Sequence, residues 1–81
     1  MAKKQLYRED ELGALAKKFR ELAKKSKEQA ATDLKVGRPS VQLAEENPEQ
    51  SLFKLRKRLI EHYSPYRLAG PFYVLEKKKR D

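Results

Sequence analysis

Hydrophobic residues recur at helical spacing along residues 10–34. Projected at 100° per residue, the apolar side chains fall on one side of the helix, while lysine, arginine and glutamate fill the other. The apolar positions are Leu12, Leu15, Ala16, Phe19, Leu22, Ala23, Ala30 and Leu34. Three carboxylates at residues 9–11 suit the positive end of a helix dipole. The pattern predicts one long amphipathic helix over residues 10–34.

A second amphipathic stretch covers residues 47–63. Asn47 can cap a helix with its side-chain oxygen, Pro48 suits the first helical position, and Gln50 can reach back to the cap. These three signals predict a helix over residues 48–63. Its apolar arc consists of Leu52, Phe53, Leu55, Leu59, Ile60 and Tyr63.

Arg56 falls inside this apolar arc, where a charged side chain is unexpected. In one interpretation it lies at the rim and extends its guanidinium to water. In the other it crosses an interface to a carboxylate or a phosphate, for which its planar group is suited. The second interpretation makes Arg56 a contact residue.

Between the two helices, Gly37 and Pro39 break the pattern and predict a loop over residues 35–40. Ser40 can then cap a short helix over residues 41–46.

Gly-Arg-Pro at residues 37–39, preceded by Lys35, resembles the core of the AT-hook, a short arm that lies in the DNA minor groove. The resemblance implies a DNA contact through Arg38. The alternative is a plain loop.

A short helix, a turn and a longer helix over residues 41–63 suggest a helix-turn-helix motif. That motif needs a small buried residue, a turn four residues later and a core residue six further on. If Ala44 is the small residue, the turn falls on Pro48, but the core position falls on Lys54. Starting one residue earlier puts Arg56 thirteen residues after the small residue, where the motif has its last apolar position. The motif fits this stretch poorly, and helix-loop-helix geometry without its pattern remains possible.

Pro65 and Pro71 end the helical pattern, and residues 72–75, Phe-Tyr-Val-Leu, are typical of a short strand. The partner of this strand could be residues 66–68, residues 4–7, or the same strand of a second copy.

The expected fold is therefore mainly α, with a long N-terminal amphipathic helix, a short helix, a second helix and a short C-terminal strand or hairpin. We expect one small helical domain over residues 1–76 and a basic, flexible tail over residues 77–81.

Charge adds information about the partner. The 81-residue chain carries a net charge of +8, and residues 49–81 hold nine basic residues against four acidic ones. This balance indicates a polyanion, with nucleic acid first and DNA ahead of RNA. Only 38% of the residues are hydrophobic, so the core is thin and a homodimer would complete it.

Other features bear on compartment and chemistry. The chain has no cysteine and no apolar run near the roughly 20 residues of a membrane span, so we expect a cytoplasmic or nucleoid-associated protein. His62, the only histidine, has no partner spaced for catalysis or metal binding. We therefore expect no enzyme activity, no cofactor and no metal.

Basic residues interleaved with tyrosines give the predicted sites. The expected nucleic-acid contacts are Arg38, Lys54, Arg56, Lys57, Arg58, Tyr66, Arg67, Lys77, Lys78, Lys79 and Arg80. The expected protein-interface residues are Leu52, Leu55, Arg56, Leu59, Tyr63, Phe72 and Tyr73.

The leading hypothesis is a dimeric DNA-binding regulator that contacts phosphates through helix 48–63 and the basic tail. One alternative is a protein-interaction module, such as a small antagonist or adaptor that docks on a larger complex. A weaker alternative is an RNA-binding or ribosome-associated protein.

Overall fold

The computed structural model describes residues 6–69 and 73–77, which form four helices and a three-stranded sheet. The helices are α1 (Leu12–Leu22), α2 (Lys27–Leu34), α3 (Arg38–Glu46) and α4 (Phe53–Tyr63). The strands are β1 (Leu6–Tyr7), β2 (Tyr66–Ala69) and β3 (Tyr73–Lys77). The prediction of a mainly helical chain with a short C-terminal hairpin is confirmed.

The predicted helix over residues 10–34 is two helices. Lys24 has a left-handed backbone conformation, with φ of 59°, and separates them. Ser26 and Gln29 then form a capping box: the Ser26 hydroxyl accepts the Gln29 N–H at 3.1 Å, and the Gln29 side chain accepts the Ser26 N–H at 2.8 Å. The apolar face resumes after this turn, so periodicity alone did not reveal the break.

α3 is longer than the predicted helix over residues 41–46. Gly37 is its N-cap and Pro39 lies in its first turn, where the missing N–H of proline is tolerated. The predicted loop over residues 35–40 therefore shrinks to three residues.

α4 is shorter than the predicted helix over residues 48–63. Asn47 ends α3 instead of starting α4, and its N–H bonds to the Leu43 carbonyl at 3.0 Å. The Gln50 N–H bonds to the Asn47 carbonyl at 3.0 Å, which makes a turn of the residues expected to begin the helix. Asn47, Pro48 and Gln50 do form a turn, but this turn ends α3 instead of beginning α4.

The sheet has the strand order β1-β3-β2, and both pairings are antiparallel. In the register, Leu68 is opposite Leu75, while Val74 is opposite Ala69 on one side and Leu6 on the other. Two of the three predicted partners are therefore used at once, and β3 lies between them. Phe72 lies outside the described residues.

A single buried cluster connects all four helices and β2. Its members are Leu12, Leu15, Ala16, Ala30, Ala31, Leu34, Val41, Ala44, Leu59, Ile60 and Leu68. Leu22, predicted to lie on the inner face of α1, is 67% exposed because the helix ends there. Among the described residues, no helix is both long and apolar enough to cross a membrane.

α1 and α3 approach each other closely at Gly13, which is buried. A Cβ at this position would lie 2.6 Å from the Ala44 carbonyl oxygen and 3.0 Å from that of Glu45. Glycine is therefore needed for the backbones to pack at this distance. The contact fixes α3 against α1.

Candidate nucleic-acid interface

A turn of three residues joins α2 to α3. Lys35 has a left-handed conformation, with φ of 58° and ψ of 47°. The Val36 N–H bonds back to the Ala31 carbonyl at 2.9 Å, which satisfies a carbonyl at the end of α2. Gly37 then caps α3, so two packed helices follow one another across a tight turn.

The inner residues of this pair have helix-turn-helix spacing. Ala31, Val41 and Ala44 are 7%, 0% and 0% exposed. Counted from Ala31, the left-handed Lys35 lies four positions later, Val41 ten and Ala44 thirteen. This is the spacing that fits poorly over residues 41–63. It fits one helix earlier, where a small buried residue, a turn and a second helix with two buried residues occur in order.

A buried ion pair connects α1 to α3. The Nε and Nη2 groups of Arg20 donate to the two carboxylate oxygens of Glu45 at 2.7 and 3.0 Å. Its Nη1 donates to the Lys25 carbonyl at 2.6 Å, in the turn before α2. The hydrogen bond to Glu45 raises the pKa of Arg20, although burial opposes that change. One guanidinium thus holds α1, α3 and the entry to α2 together.

Arg56 has a structural place that neither sequence interpretation anticipated. It is 0% exposed, and its guanidinium donates to the carbonyls of Ala44, Asn47 and Gln50 at 2.8, 2.6 and 2.8 Å. These carbonyls belong to the end of α3 and the following turn, where the helix dipole favours a positive charge. Arg56 therefore does not lie at a rim and has no donor directed to a phosphate.

Arg58, another predicted phosphate contact, donates to the Leu34 carbonyl at 2.6 Å. It thereby caps the end of α2 from α4. Lys57 pairs with Glu61 at 3.3 Å, one turn later on the same helix. The charge of α4 is thus largely used to stabilise the fold.

The remaining predicted contacts are spread over the molecule. Lys54 and Arg38 are exposed, at the starts of α4 and α3. Arg67 pairs with Glu76 at 3.1 Å across the hairpin, and the Tyr66 ring packs at 6.0 Å from Phe19. Lys77 lies in β3 with no description of its side chain, and Lys78, Lys79 and Arg80 are outside the described residues.

The predicted protein-interface residues of α4 mostly face the interior. Leu59 is buried in the core, while Leu52, Leu55 and Tyr63 are partly buried against it. The apolar arc therefore packs against the core of this same chain. Tyr73 lies in β3, and nothing is described of its side chain.

Arg38 and Pro39 lie in the first turn of α3, so they do not form the extended arm that the AT-hook resemblance implies. The outer face of α3 instead carries residues that the sequence reasoning missed. Pro39, Gln42 and Leu43 are exposed there, at one helical face. Recognising α2 in the sequence would have identified them. The spacing counted from Ala31 gives the buried positions of α3, and the exposed positions are those on its opposite side.

His62 and Tyr63, at the end of α4, both lie near the carboxylate of Asp33 in α2. The Tyr63 hydroxyl donates to Asp33 Oδ2 at 2.7 Å, and His62 Nε2 is 4.0 Å from the same oxygen. Burial, together with this hydrogen bond, raises the pKa of Tyr63. Within residues 6–69 and 73–77 no group of three His, Cys, Asp or Glu side chains is arranged to hold a metal.

Comparison of the chain with family models, with curated proteins and with solved structures finds no match.

Proposed function

We propose that this protein binds duplex DNA through a helix-turn-helix formed by α2 and α3, with α3 placed in the major groove. The observation that carries the proposal is the tight turn at Lys35, flanked by the buried Ala31, Val41 and Ala44. In such motifs the second helix enters the groove, and its N-terminal residues reach the base edges.

The proposal transfers the contact from α4 to α3. Arg56 and Arg58 bond to backbone carbonyls at the ends of α3 and α2, so α4 supports the motif from behind. Arg20 and Glu45 support it from the side of α1. A recognition helix must be held rigidly to read bases, and these buried and part-buried bonds supply that rigidity.

Exposed cations lie next to the motif along the chain. We assign four of them to phosphates: Lys25 before α2, Lys35 in the turn, Arg38 at the start of α3 and, further along the chain, Lys54 at the start of α4. None of the four forms an ion pair within the described part of the chain. Four phosphate contacts predict a slope of about −3.6 in log affinity against log salt, which is a loss of roughly 150-fold between 50 and 200 mM.

A titration of labelled random duplex, single-stranded DNA and duplex RNA at these two salt concentrations tests the proposal. We expect the duplex DNA to bind best, and Arg38→Ala to reduce the slope by about 0.9. Lys18→Ala removes an equal charge from the exposed side of α1 and serves as the matched control. The proposal fails if duplex DNA does not bind at 50 mM salt, or if both variants behave alike.

The homodimer remains part of the proposal. Dimeric helix-turn-helix proteins bind two half-sites about 34 Å apart, so a dimer predicts a palindromic target. The molecular mass measured in solution with and without duplex distinguishes one copy per site from two. The protein-interaction alternative loses its main motivation, because Arg56 is occupied within the chain.

A further inference from the structure

The outer face of α3 has a specific chemical composition. Pro39, Gln42, Leu43 and Glu46 occupy this face at the spacing i, i+3, i+4 and i+7, and all four are exposed. Val41, Ala44 and Glu45 face the interior. Whatever α3 contacts is therefore recognised by this short row of side chains.

Both carboxylates of α3 are already engaged. Glu45 is buried against Arg20, and Glu46 accepts a hydrogen bond from Lys27 of α2. Glu46 also lies at the C-terminal end of α3, away from the turn that would lead into a groove. Apart from Arg38 in the first turn, which is assigned above to phosphate, the N-terminal part of the outer face is thus left to uncharged groups.

Gln42 and Leu43 are the two uncharged side chains there that can distinguish bases by hydrogen bonding or apolar contact. The Gln42 side-chain amide offers an NH2 donor group and a carbonyl acceptor, and this side chain makes no hydrogen bond within residues 6–69 and 73–77. Leu43 is an apolar side chain that is 39% exposed directly beside it. A primary amide next to an apolar group is complementary to the groups that an A·T base pair presents in the major groove.

On that base pair, adenine presents the N7 acceptor and the N6 donor, and thymine presents its 5-methyl group. A glutamine amide can bond to both adenine positions, and an apolar side chain can pack on the methyl group. Gln42 and Leu43 differ by about 1.5 Å along the helix axis, which is less than the 3.4 Å between stacked base pairs. Because their side chains also project about 100° apart around the helix, they address neighbouring positions in the groove rather than a single one.

We propose that Gln42 and Leu43 read A·T base pairs in the major groove, Gln42 by hydrogen bonds to adenine and Leu43 by contact with the thymine methyl group. The assignment rests on the proposed function, because it needs α3 in the groove. It adds to that function the class of base pair recognised and the two side chains responsible.

The test begins with selection of bound duplexes from a random library. The base pairs at the preferred site are then replaced singly, adenine by 7-deazaadenine, which lacks N7, and thymine by deoxyuridine, which lacks the methyl group. For the wild-type chain we expect the first replacement to weaken binding by about 2- to 13-fold at one position, the value of one hydrogen bond, because the N6 donor is kept. We expect the second to weaken it by about 4-fold, the value of one buried methyl group.

The variants identify the reader of each group. Gln42→Ala should become insensitive to 7-deazaadenine while still responding to deoxyuridine, and Leu43→Ala should show the reverse. Gln50→Ala, which removes an exposed glutamine from the turn after α3, should keep both responses. Circular dichroism and binding of random duplex at 50 mM salt confirm that each variant is folded. Leu43→Gln, which keeps a good helix former but presents a polar group, is used if Leu43→Ala unfolds.

Two failures are distinguishable. If random duplex is not bound at low salt, the proposed function itself is wrong. If duplex is bound but the selected site lacks A·T pairs, or both variants respond to the analogues as wild type does, α3 does not read bases through Gln42 and Leu43. In that case DNA binding stands and only this assignment is overturned.

Discussion

Replacing Arg56 tests the central claim that a buried guanidinium holds the end of α3. Arg56→Ala removes the donors of three hydrogen bonds and leaves the carbonyls of Ala44, Asn47 and Gln50 without them. The Ala44 carbonyl is deepest, because its bond to Arg56 is buried, whereas the other two are part-buried and water can reach them more easily. An unsatisfied buried carbonyl costs about 1 to 3 kcal/mol.

The cavity left by the arginine stem adds to this cost, and the removal of a buried charge offsets part of it. We expect a net loss of about 3 to 5 kcal/mol in the free energy of unfolding. An 81-residue chain has a total stability of roughly 4 to 12 kcal/mol, so the loss is a large part of it. Arg56→Met keeps the packing of the stem and should lose less than Arg56→Ala.

Urea unfolding followed by circular dichroism at 222 nm measures the loss. Lys54→Ala is the matched control, since it removes a cation from the exposed side of the same helix and should change stability by no more than about 0.5 kcal/mol. If Arg56→Ala costs less than about 1 kcal/mol, the three carbonyls are satisfied without it and the structural role is refuted. Unchanged stability with weakened binding to a partner would instead revive the interface interpretation.

Three further predictions concern the supports of α3. Gly13→Ala should destabilise the fold by about 1 to 3 kcal/mol, although alanine has the higher helix propensity, because its Cβ would lie 2.6 Å from the α3 backbone. Glu45→Ala should cost about 3 to 5 kcal/mol by leaving Arg20 buried and unpaired, and the double change of Arg20 to Met and Glu45 to Leu should recover much of that loss. The hydrogen bond from Lys27 lowers the pKa of Glu46 in the folded state. The stabilisation of the fold by this pair should therefore be present above about pH 4.5 and be lost as the pH falls through the lowered pKa of Glu46.

Each of these has a clear contrary result. Thermal unfolding of Gly13→Ala should be compared with Ala14→Gly at an exposed position of the same helix, and a stabilised Gly13→Ala would exclude the close approach. Additive losses in the cycle of Arg20 and Glu45 would show that the two side chains do not act as a pair. For the acid titration, the chain with Glu46 and the Glu46→Gln variant should differ in how stability depends on pH. This difference should vanish when Lys27→Ala is added to both, and a difference that persists would place its cause elsewhere.

The fold was predictable where the signals are local. Helical periodicity gave the mainly α chain, and the β-branched and aromatic residues at 72–75 gave the strand. Boundaries were less predictable, because capping residues do not say which of two helices they serve. Asn47 has the same side chain whether it begins α4 or ends α3, and only the packing of α3 against α1 and α2 decides.

The sequence by itself determined that this chain is helical, basic and short of apolar residues, since composition and periodicity require no long-range information. Only the tertiary structure decided what the arginines do. Arg20 and Arg58 look like surface charge in the sequence, and Arg56 looks like a rim or interface residue. Each instead donates to a backbone carbonyl at the end of a helix or in the following turn. Those carbonyls are 5, 12 and 24 residues from their arginines, so no local pattern connects them. The same folding exposes Gln42 and Leu43 on α3 and thereby places the proposed contact on a helix that carries one basic and two acidic residues.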